Sequence, residues 1–372
     1  PPPNPFRPQR VLPSREGGPI FKTFARDSSV NKILVRAVNW VGDAVMTTPA
    51  IGVIRRHFPG AEITIMANPL VAALFSPHDW VDRVIVFERT GRHKGIIGRL
   101  RLARELRRES FDLAIILPNS FDSALVPWLA GIPARLGKNS DGRGLLLTER
   151  YQPDKNTVIR HEVHYYIDLL RHFGISGQAG KLQLCTTPDE ELAAVRKLEE
   201  HGITADDLVI GINPGAAFGS AKRWYPDRFA GVARRLAEKW SARIVIFGGP
   251  GETEIAADIE HDMKGECLNL AGKTGMRELM ALIRRCNFFV SNDSGPMHIA
   301  AAFDVPLVAV FGPTDHATTS PFSDRATIVR KPVECAPCKL RECPTDHRCM
   351  TAVTEDDVVE ASIRLMTSIS AN

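Results

Sequence analysis

An aspartate, Asp43, follows a glycine turn in "RAVNWVGDAVMTTPA", between an apolar segment that predicts a strand and one that predicts a helix. A carboxylate at a helix start commonly caps the helix and complements its dipole, and this structural interpretation stays open. Gly42 would let a substrate approach the backbone closely, which favours a second interpretation. In that interpretation, Asp43 takes the proton from an attacking hydroxyl as a general base.

A lysine in a loop of small residues, "NPGAAFGSAKRW", predicts a diphosphate site. Small residues expose backbone N–H groups, and Lys222 with Ser220 adds a positive charge and a hydroxyl. The loop is not a Walker loop, because Gly215 and Gly219 are one residue too close and no Gly-Lys-Ser/Thr follows. An ordinary surface lysine is the alternative.

Acidic residues at two further strand ends predict contacts with sugar hydroxyls. "FGGPGETE" holds Glu252 and Glu254, either of which could accept hydrogen bonds from a ribose, although helix capping is a comparable explanation. "SNDSGPMHIAAAFDVPLVAVFGPTD" begins a helix whose N–H groups suit a phosphate, whereas its carboxylate suits hydroxyls. Together these features indicate a nucleotide-sugar. The residues concerned in this stretch are Asp293, Ser294, Gly295 and His298.

Apolar strands alternate with amphipathic helices between these sites, which predicts parallel sheets covered on both faces. The alternation is interrupted by a glycine-rich, charged loop over 137–160 and by a linker near 176–188. The sequence therefore predicts an α/β protein with two doubly wound, Rossmann-like domains. The expected parts are a flexible extension over 1–31, domains over 32–180 and 181–350, and a C-terminal helix over 351–372 that packs back toward the first domain.

Composition limits the classes of function. Of the 372 residues, 24% are charged and the net charge is +4, so the chain is an ordinary globular sequence that does not call for a nucleic acid partner. No apolar run approaches the ~18 residues of a membrane span. The N-terminal residues lack the apolar core of a signal peptide, so we expect a cytoplasmic protein.

Basic residues concentrate in the stretch "GIIGRLRLARELRRES", which predicts an amphipathic helix. The residues expected to face inward are Ile96, Leu100, Ala103 and Leu106. Solvated helix faces explain such a pattern, and the alternative is a surface for an anionic substrate or a membrane. In that alternative the loop 137–160 and this helix contact a phosphorylated acceptor, the helix through Arg101, Arg104 and Arg108.

Four cysteines cluster in "CAPCKLRECPTDHRCM". They are Cys335, Cys338, Cys343 and Cys349. Zinc binding, disulfides and free thiols all stay open at this point, because the spacing is shorter than that of a zinc ribbon. We expect the cysteines to hold the C-terminal segment in place rather than to take part in the chemistry.

Four of these stretches resemble the bacterial ADP-heptose:lipopolysaccharide heptosyltransferases. They are "NWVGDAVMTTPAI", "NPGAAFGSAKRW", "SNDSGPMHIAAAFDVPLVAVFGPTD" and "CAPCKLRECPTDHRCM". The resemblance spans about residues 32–365, in the family's order and spacing. It points to the branch of the family that adds the second heptose of the inner core.

The resemblance implies a GT-B fold, with two Rossmann-like domains facing a cleft. It implies inverting transfer of L-glycero-D-manno-heptose from ADP-heptose to a phosphorylated lipid A–Kdo–heptose acceptor, with no cofactor required. It further implies peripheral contact with the inner face of the cytoplasmic membrane and no nucleic acid partner.

The resemblance also assigns roles by position. Asp43 matches the catalytic base, Lys222 the diphosphate-binding lysine and Asp293 the heptose-binding acid. Ser220 lies in the lysine's loop, although it departs from the proline expected there. The other donor-binding positions would be Glu252 or Glu254 at the ribose, Thr274 near the adenine, and Ser294, Gly295 and His298 at the phosphate and sugar.

Three other functions compete with this interpretation. Within enzymes, the alternative is another GT-B sugar transferase with a different nucleotide-sugar donor. A nicotinamide oxidoreductase is disfavoured, because "FGGPGETE" lacks the last glycine of the dinucleotide fingerprint. A non-catalytic carbohydrate-binding protein would not need Asp43 and Lys222 on opposite domains.

Overall fold

The first domain is a six-stranded parallel sheet with helices on both faces. The computed structural model describes residues 30–153 and 160–371. The elements of this domain are β1 (Lys32–Arg36), α1 (Val41–Met46), α2 (Thr48–His57), β2 (Glu62–Ala67), α3 (Pro69–Ala72), β3 (Arg83–Val86), α4 (Gly95–Glu109), β4 (Leu113–Ile116), α5 (Phe121–Leu129), β5 (Ala134–Lys138), β6 (Glu149–Tyr151) and α6 (Glu162–His172). The strand order is β3-β2-β1-β4-β5-β6. Because this order reverses between β1 and β4, a crevice opens beyond their carboxyl ends.

The second domain repeats this architecture. Its elements are α7 (Pro188–Glu199), β7 (Val209–Asn213), α8 (Pro226–Trp240), β8 (Arg243–Ile246), α9 (Thr253–Asp262), β9 (Leu268–Asn269), α10 (Met276–Arg285), β10 (Phe288–Asn292), α11 (Gly295–Ala302), β11 (Leu307–Val310), α12 (His316–Thr319), β12 (Ala326–Val329), α13 (Arg348–Thr351) and α14 (Glu355–Ser370). The strand order is β12-β11-β10-β7-β8-β9, again all parallel. The reversal between β7 and β10 predicts the ligand crevice of this domain.

Alternate residues of each strand face opposite sides of its sheet, and the apolar core follows this alternation. In β1, Ile33 and Val35 belong to one buried cluster, whereas Leu34 belongs to another. In β10, Phe289 belongs to the same cluster as Ile33, and Val290 faces a cluster confined to the second domain. One apolar interior therefore runs through both domains and holds them face to face.

The segment that was predicted as the interdomain linker, near 176–188, lies between α6 and α7. Residues 175–187 contain no helix or strand. Within them, the backbone N–H of Gln183 donates to Thr48 Oγ1 at 3.1 Å, and its carbonyl oxygen lies 3.1 Å from His78 Nε2. The linker therefore lies against the first domain before the chain enters α7.

Strands β5, β6 and β12 were not predicted, and β6 lies within the segment 137–160 that was expected to be a loop. These strands are short and lack a strong apolar pattern; β6, for example, reads Glu-Arg-Tyr. Backbone pairing with an existing neighbour is what forms β5 beside β4 and β6 beside β5. A pattern search on the sequence does not detect that kind of stabilisation.

The orientation predicted for α4 was wrong for Ile96 and Leu100, which are exposed, whereas Ala103 and Leu106 are buried as expected. The reason is Gly98, where an added Cβ would lie only 2.3 Å from the backbone of the preceding loop. This close contact turns the stripe of Gly98, Leu102 and Leu106 inward. The apolar residues at the start of the helix then face solvent.

The C-terminal helix packs on the second domain, not back toward the first. Its apolar side chains Val358, Val359 and Leu365 join the cluster that contains Phe229 and Leu236 of α8. The helix also contacts β11 and β12. The reason is that α8 and the neighbouring strands leave an apolar surface directly beside the point where the chain leaves α13.

The predicted N-terminal extension lies almost entirely outside the described residues, which begin at Val30. Val30 is buried, and the backbone N–H of Asn31 donates to Asp112 Oδ2 at 2.8 Å, so these two residues belong to the first domain. Within the described ranges, no helix combines the length and apolar composition that a membrane span requires.

Candidate active site

Asp43 lies in the first turn of α1, beyond the carboxyl end of β1. Trp40 occupies the N-cap position, and no side chain makes a capping hydrogen bond there, so the carboxylate does not cap this helix. Burial raises the pKa of Asp43; the positive charge of Lys222 opposes this rise, and the negative charge of Asp293 adds to it. Because Lys222 and Asp293 belong to the second domain, Asp43 faces the interdomain cleft.

Two glycines allow α1 and α11 to meet across this cleft. A Cβ at Gly42 would lie 2.8 Å from Cδ2 of His298, and a Cβ at Gly295 would lie 3.1 Å from Cβ of Val41. Both distances are tighter than ordinary contacts, so larger side chains would separate the helices. The helix that carries Asp43 therefore touches the helix that begins beside the donor residues.

Lys222 and Asp293 form a largely buried ion pair. The distance from Lys222 Nζ to Asp293 Oδ2 is 2.6 Å, and the two side chains are 12% and 5% exposed. Thr314 Oγ1 donates a hydrogen bond of 2.5 Å to the same carboxylate oxygen. Lys222 Nζ also lies 5.1 Å from the ring centre of Phe218. A diphosphate that binds Lys222 must therefore compete with Asp293 for the ammonium group.

Two buried asparagines, which the sequence analysis did not assign to the site, hold the loops after β7 and β10 in place. Asn292 Oδ1 accepts a hydrogen bond from the backbone N–H of Trp224 at 3.0 Å, and Asn292 Nδ2 donates to the carbonyl of Pro214 at 2.6 Å. Asn213 Nδ2 donates to Ser294 Oγ at 3.0 Å. These bonds join the two strand ends that flank the predicted crevice, and their burial shields them from water.

His298 is a neutral imidazole in the interface between α1 and α11. Burial lowers the pKa of His298 to about 4, an effect that the charge of Asp293 partly opposes. Its Nδ1 is buried and has no hydrogen-bond partner among the residues that the structure describes. A neutral ring can donate one hydrogen bond and accept another, so His298 can orient a polar substrate group without adding charge.

Glu252, rather than Glu254, lies against the loop after β7. Glu252 Oε2 accepts a hydrogen bond of 2.7 Å from the backbone N–H of Gly249. A Cβ at Gly215 would lie 2.0 Å from Cδ of Glu252, so the carboxylate lies against the loop after β7. Glu254 is exposed in the first turn of α9. Two further predicted donor residues are Ser220, which is exposed at the start of a 3-10 turn over Ser220–Lys222, and Thr274, which is partly buried in a loop.

The segment that contains the four clustered cysteines supports the turn that carries Lys222. The backbone N–H of Ala221 donates to the carbonyl of Arg341 at 3.0 Å, and the carbonyl of Ala221 lies 2.7 Å from His347 Nε2. A Cβ at Gly219 would lie 2.2 Å from the Arg341 oxygen. The position of the lysine therefore depends on this segment.

The cysteines themselves form no disulfide among the described residues. Cys335 and Cys338 are exposed, and Cys349 is buried. The described part of the chain contains no group of three or more His, Cys, Asp or Glu side chains placed to hold a metal ion. Of the three states left open by the sequence, disulfides are therefore not formed among the described residues.

A second carboxylate near Asp43, Glu162, was missed by the sequence analysis. It is the first residue of α6, which packs against α1. Burial raises the pKa of Glu162, and the charge of Asp43 raises it further, whereas Lys138 and Lys339 act in the opposite direction. Tyr166 lies buried one turn later. The sequence "HEVHYYIDLL" has the pattern of an ordinary amphipathic helix, so it carries no signal that its first turn reaches the cleft.

Among its described residues, the basic loop that was predicted to contact the acceptor contributes Lys138 to this neighbourhood. Its Nζ lies 5.5 Å from the ring centre of Tyr165, whose hydroxyl donates to Asn119 Oδ1 at 3.3 Å. Arg143, in contrast, is fully buried and donates through Nε to the carbonyl of Lys138 at 2.9 Å. Burial lowers the pKa of Arg143 to about 10. Arg143 therefore organises the loop and does not present its charge to a ligand.

Three exposed arginines of α4 do not lie beside the catalytic candidates. They are Arg101, Arg104 and Arg108. The last residue of α4, Glu109, forms an ion pair of 2.7 Å with Arg83 at the start of β3. Its carbonyl accepts a hydrogen bond of 3.2 Å from Lys32 at the start of β1. The C-terminal half of α4 therefore lies toward the edge where the strands begin, opposite to Asp43.

Known proteins resemble this chain in sequence over most of its length. The profile of glycosyltransferase family 9 (heptosyltransferase) matches residues 99–348. The chain is 35% identical to lipopolysaccharide heptosyltransferase 2 of Escherichia coli K12 over 307 residues, which cover 80% of this chain and 88% of that protein. Identity to the Salmonella typhimurium protein of the same name is 34%, with the same coverage.

A solved structure agrees with these sequence matches. The structure of E. coli ADP-heptose lipopolysaccharide heptosyltransferase II is 31% identical, has a TM-score of 0.77, and aligns over 91% of this chain and 99% of that one. The likeness confirms the predicted α/β architecture of two Rossmann-like domains in the GT-B arrangement.

Proposed function

We infer that this chain, which belongs to glycosyltransferase family 9, the heptosyltransferases, transfers the second heptose of the lipopolysaccharide inner core from ADP-heptose. The acceptor is the phosphorylated lipid A–Kdo core that already carries one heptose. The observation that carries this inference is the meeting of Asp43 from the first domain with Lys222 and Asp293 from the second.

On the acceptor side, Asp43 takes the proton of the attacking heptose hydroxyl. Burial raises the pKa of Asp43, so the carboxylate is a stronger base than a fully solvated aspartate, and the positive charge of Lys222 opposes this rise. Glu162 and Lys138 lie on the same side of the cleft and supply polar contacts to the incoming sugar.

On the donor side, Lys222 opposes the charge that develops on the departing ADP. When the diphosphate also binds Lys222, the carboxylate oxygens of Asp293 can accept hydrogen bonds from heptose hydroxyls. Positioned charges of this kind stabilise the transition state because they need not reorganise when the bond breaks. Attack from the first domain and departure into the second place the two groups on opposite faces of the anomeric carbon, so the configuration inverts.

We propose that this transfer needs no metal cofactor, because Lys222 and the N–H groups at the start of α11 supply the positive potential that a diphosphate requires. Turnover in excess EDTA should then equal turnover with added Mg²⁺. A metal-dependent rate would refute this part of the proposal.

We also propose that the enzyme works in the cytoplasm, peripherally bound to the inner membrane. Its donor is water-soluble, whereas its acceptor is anchored in the bilayer through lipid A. An enzyme that joins the two substrates must meet the acceptor at the membrane surface.

The test is ADP release from ADP-heptose, measured with and without a heptosylated core acceptor, with product stereochemistry read by NMR. We expect release to depend on the acceptor and the product to be inverted. A panel of other nucleotide-sugars is the control for donor identity. Faster transfer from another donor would show a different GT-B transferase, and ADP binding with no release would show a binding protein.

A further inference from the structure

Three large apolar side chains at the start of α4 are exposed to solvent. Ile96 is 79% exposed, Ile97 is 76% exposed and Leu100 is 50% exposed. The contact of Gly98 with the preceding loop fixes this orientation, so the exposure follows from the packing of the helix. Exposed aliphatic residues that share one face of a helix indicate a surface that a partner covers.

The same face of α4 is basic along its C-terminal half. Arg101, Arg104 and Arg108 are exposed, and neither Arg104 nor Arg108 has a hydrogen-bond or ion-pair partner among the described residues. The acidic residues of α4 do not neutralise this face, because Glu105 pairs with Arg92 and Glu109 pairs with Arg83. The exposed face therefore combines aliphatic side chains with uncompensated positive charge.

We propose that this exposed face of α4, made by Ile96, Ile97, Leu100, Arg101, Arg104 and Arg108, docks on the surface of an anionic phospholipid bilayer. The aliphatic side chains enter the boundary between headgroups and acyl chains, and the arginines bind lipid phosphates. Amphipathic helices with apolar residues and a basic polar face bind membrane surfaces in this way. The proposal rests on the proposed function, because a lipid-anchored acceptor is what brings the enzyme to a membrane.

The position of this face suits the reaction. The aliphatic residues lie at the start of α4, and Glu109 at its end lies at the edge where the strands begin. A helix of fifteen residues spans about 22 Å, so its start lies near the carboxyl edge of the sheet, where Asp43 is found. Insertion of the aliphatic end therefore brings the cleft toward the bilayer surface, where the acceptor sugars are.

The neighbouring helix extends the apolar part of the surface. An ion pair between Arg99 and Asp122 joins α4 to α5. On α5, Phe121 is 43% exposed and Trp128 is 45% exposed, and their spacing of seven residues puts them on one stripe. A half-exposed tryptophan suits the interface between water and lipid, because its ring is apolar and its N–H is polar.

The test is co-sedimentation of the full chain with vesicles that contain no lipopolysaccharide acceptor. One set of vesicles is phosphatidylcholine alone, and the other is phosphatidylcholine mixed with phosphatidylglycerol. The variants are Ile96→Ser/Ile97→Ser/Leu100→Ser and Arg104→Ser/Arg108→Ser. The matched control is Leu192→Ser/Arg196→Ser, because α7 also exposes a leucine and an arginine one turn apart.

We expect the wild-type chain to bind the anionic vesicles and to lose this binding at high salt. The triple variant should bind at least ~10-fold more weakly. The paired arginine variant should also bind ~10-fold or more weakly, since each arginine near an anionic surface contributes roughly fivefold. The control variant should bind like the wild type.

Three readouts separate this inference from its alternatives: transfer to a soluble acceptor, vesicle binding and the oligomeric state in solution. Transfer to a deacylated, water-soluble acceptor should be unchanged in the triple variant, and this result also shows that the variant folds. If the triple variant does not fold, Ile97→Ser alone replaces it.

Vesicle binding without any transfer would refute the proposed function and leave the docking surface standing. Equal vesicle binding by the wild type and the triple variant would overturn the docking surface, as would no binding by the wild type. A dimer in solution that only the triple variant dissociates would assign the face to a second copy of the chain and likewise overturn it.

Discussion

Exchange of Lys222 for methionine keeps most of the side-chain volume but leaves the carboxylate of Asp293 without its cation. The two charges are 2.6 Å apart, so their Coulomb attraction at an effective dielectric constant of ~20 is about 6 kcal/mol before desolvation is counted. Removal of one partner of a buried pair costs about 3–5 kcal/mol. Because Thr314 still donates to Asp293, we expect a loss of stability near the lower end of that range.

The affinity for ADP should differ among the variants of this ion pair. Loss of a charge-assisted contact costs about 1.5–3 kcal/mol, which weakens ADP binding by about 10- to 150-fold. In Lys222→Met the negative charge of Asp293 also repels the diphosphate. The double variant Lys222→Met/Asp293→Asn should therefore bind ADP more tightly than Lys222→Met alone, although more weakly than the wild type.

Calorimetric titration with ADP and thermal melting would measure both effects in four proteins: the wild type, Lys222→Met, Asp293→Asn and the double variant. Lys239→Met is the matched control, because Lys239 is an exposed lysine on α8. Unchanged ADP affinity in Lys222→Met would refute the assignment of the diphosphate to this lysine. A double variant that binds ADP no better than Lys222→Met would refute the argument that the carboxylate of Asp293 opposes diphosphate binding at this ion pair.

Three further predictions follow from the site. Asp43→Asn should slow transfer by at least ~10²-fold without weakening ADP binding, and a wild-type-like rate would place the base elsewhere. Because burial raises the pKa of Asp43 in the folded state, the charge of Asp43 costs stability above that pKa. The variant should therefore melt at a higher temperature than the wild type at neutral pH, and this difference should disappear on acidification. Gly42→Ala should destabilise the protein by about 1–3 kcal/mol through overpacking of α1 on α11, whereas Gly60→Ala, where nothing lies within 4 Å, should not; equal melting temperatures would contradict the close contact. Cys335→Ser/Cys338→Ser should keep the wild-type melting temperature and transfer rate, and a wild-type metal content near one ion per chain in protein purified without chelator would contradict free thiols.

Much of the candidate site was accessible from the sequence because parallel sheets follow a simple rule. The carboxyl ends of parallel strands meet at one edge, so polar residues that follow apolar segments are expected to gather there. Asp43, Lys222 and Asp293 were found in this way, and all three lie at the cleft. Glu162 was not found, because it begins a helix that follows a break in the pattern and the strand before it, β6, was not predicted.

Local periodicity and short motifs were enough to predict the alternation of strands and helices and the residues at the strand ends. Which of those residues touch one another depends on how the whole chain folds. The pair of Lys222 with Asp293 and the contact of Gly42 with His298 join segments far apart in the chain, and no local pattern encodes the distance between them. The same reason explains why the orientation predicted for α4 was wrong. The apolar spacing of this helix was compatible with a buried Ile96, but the backbone packed against Gly98 turns that side chain into solvent.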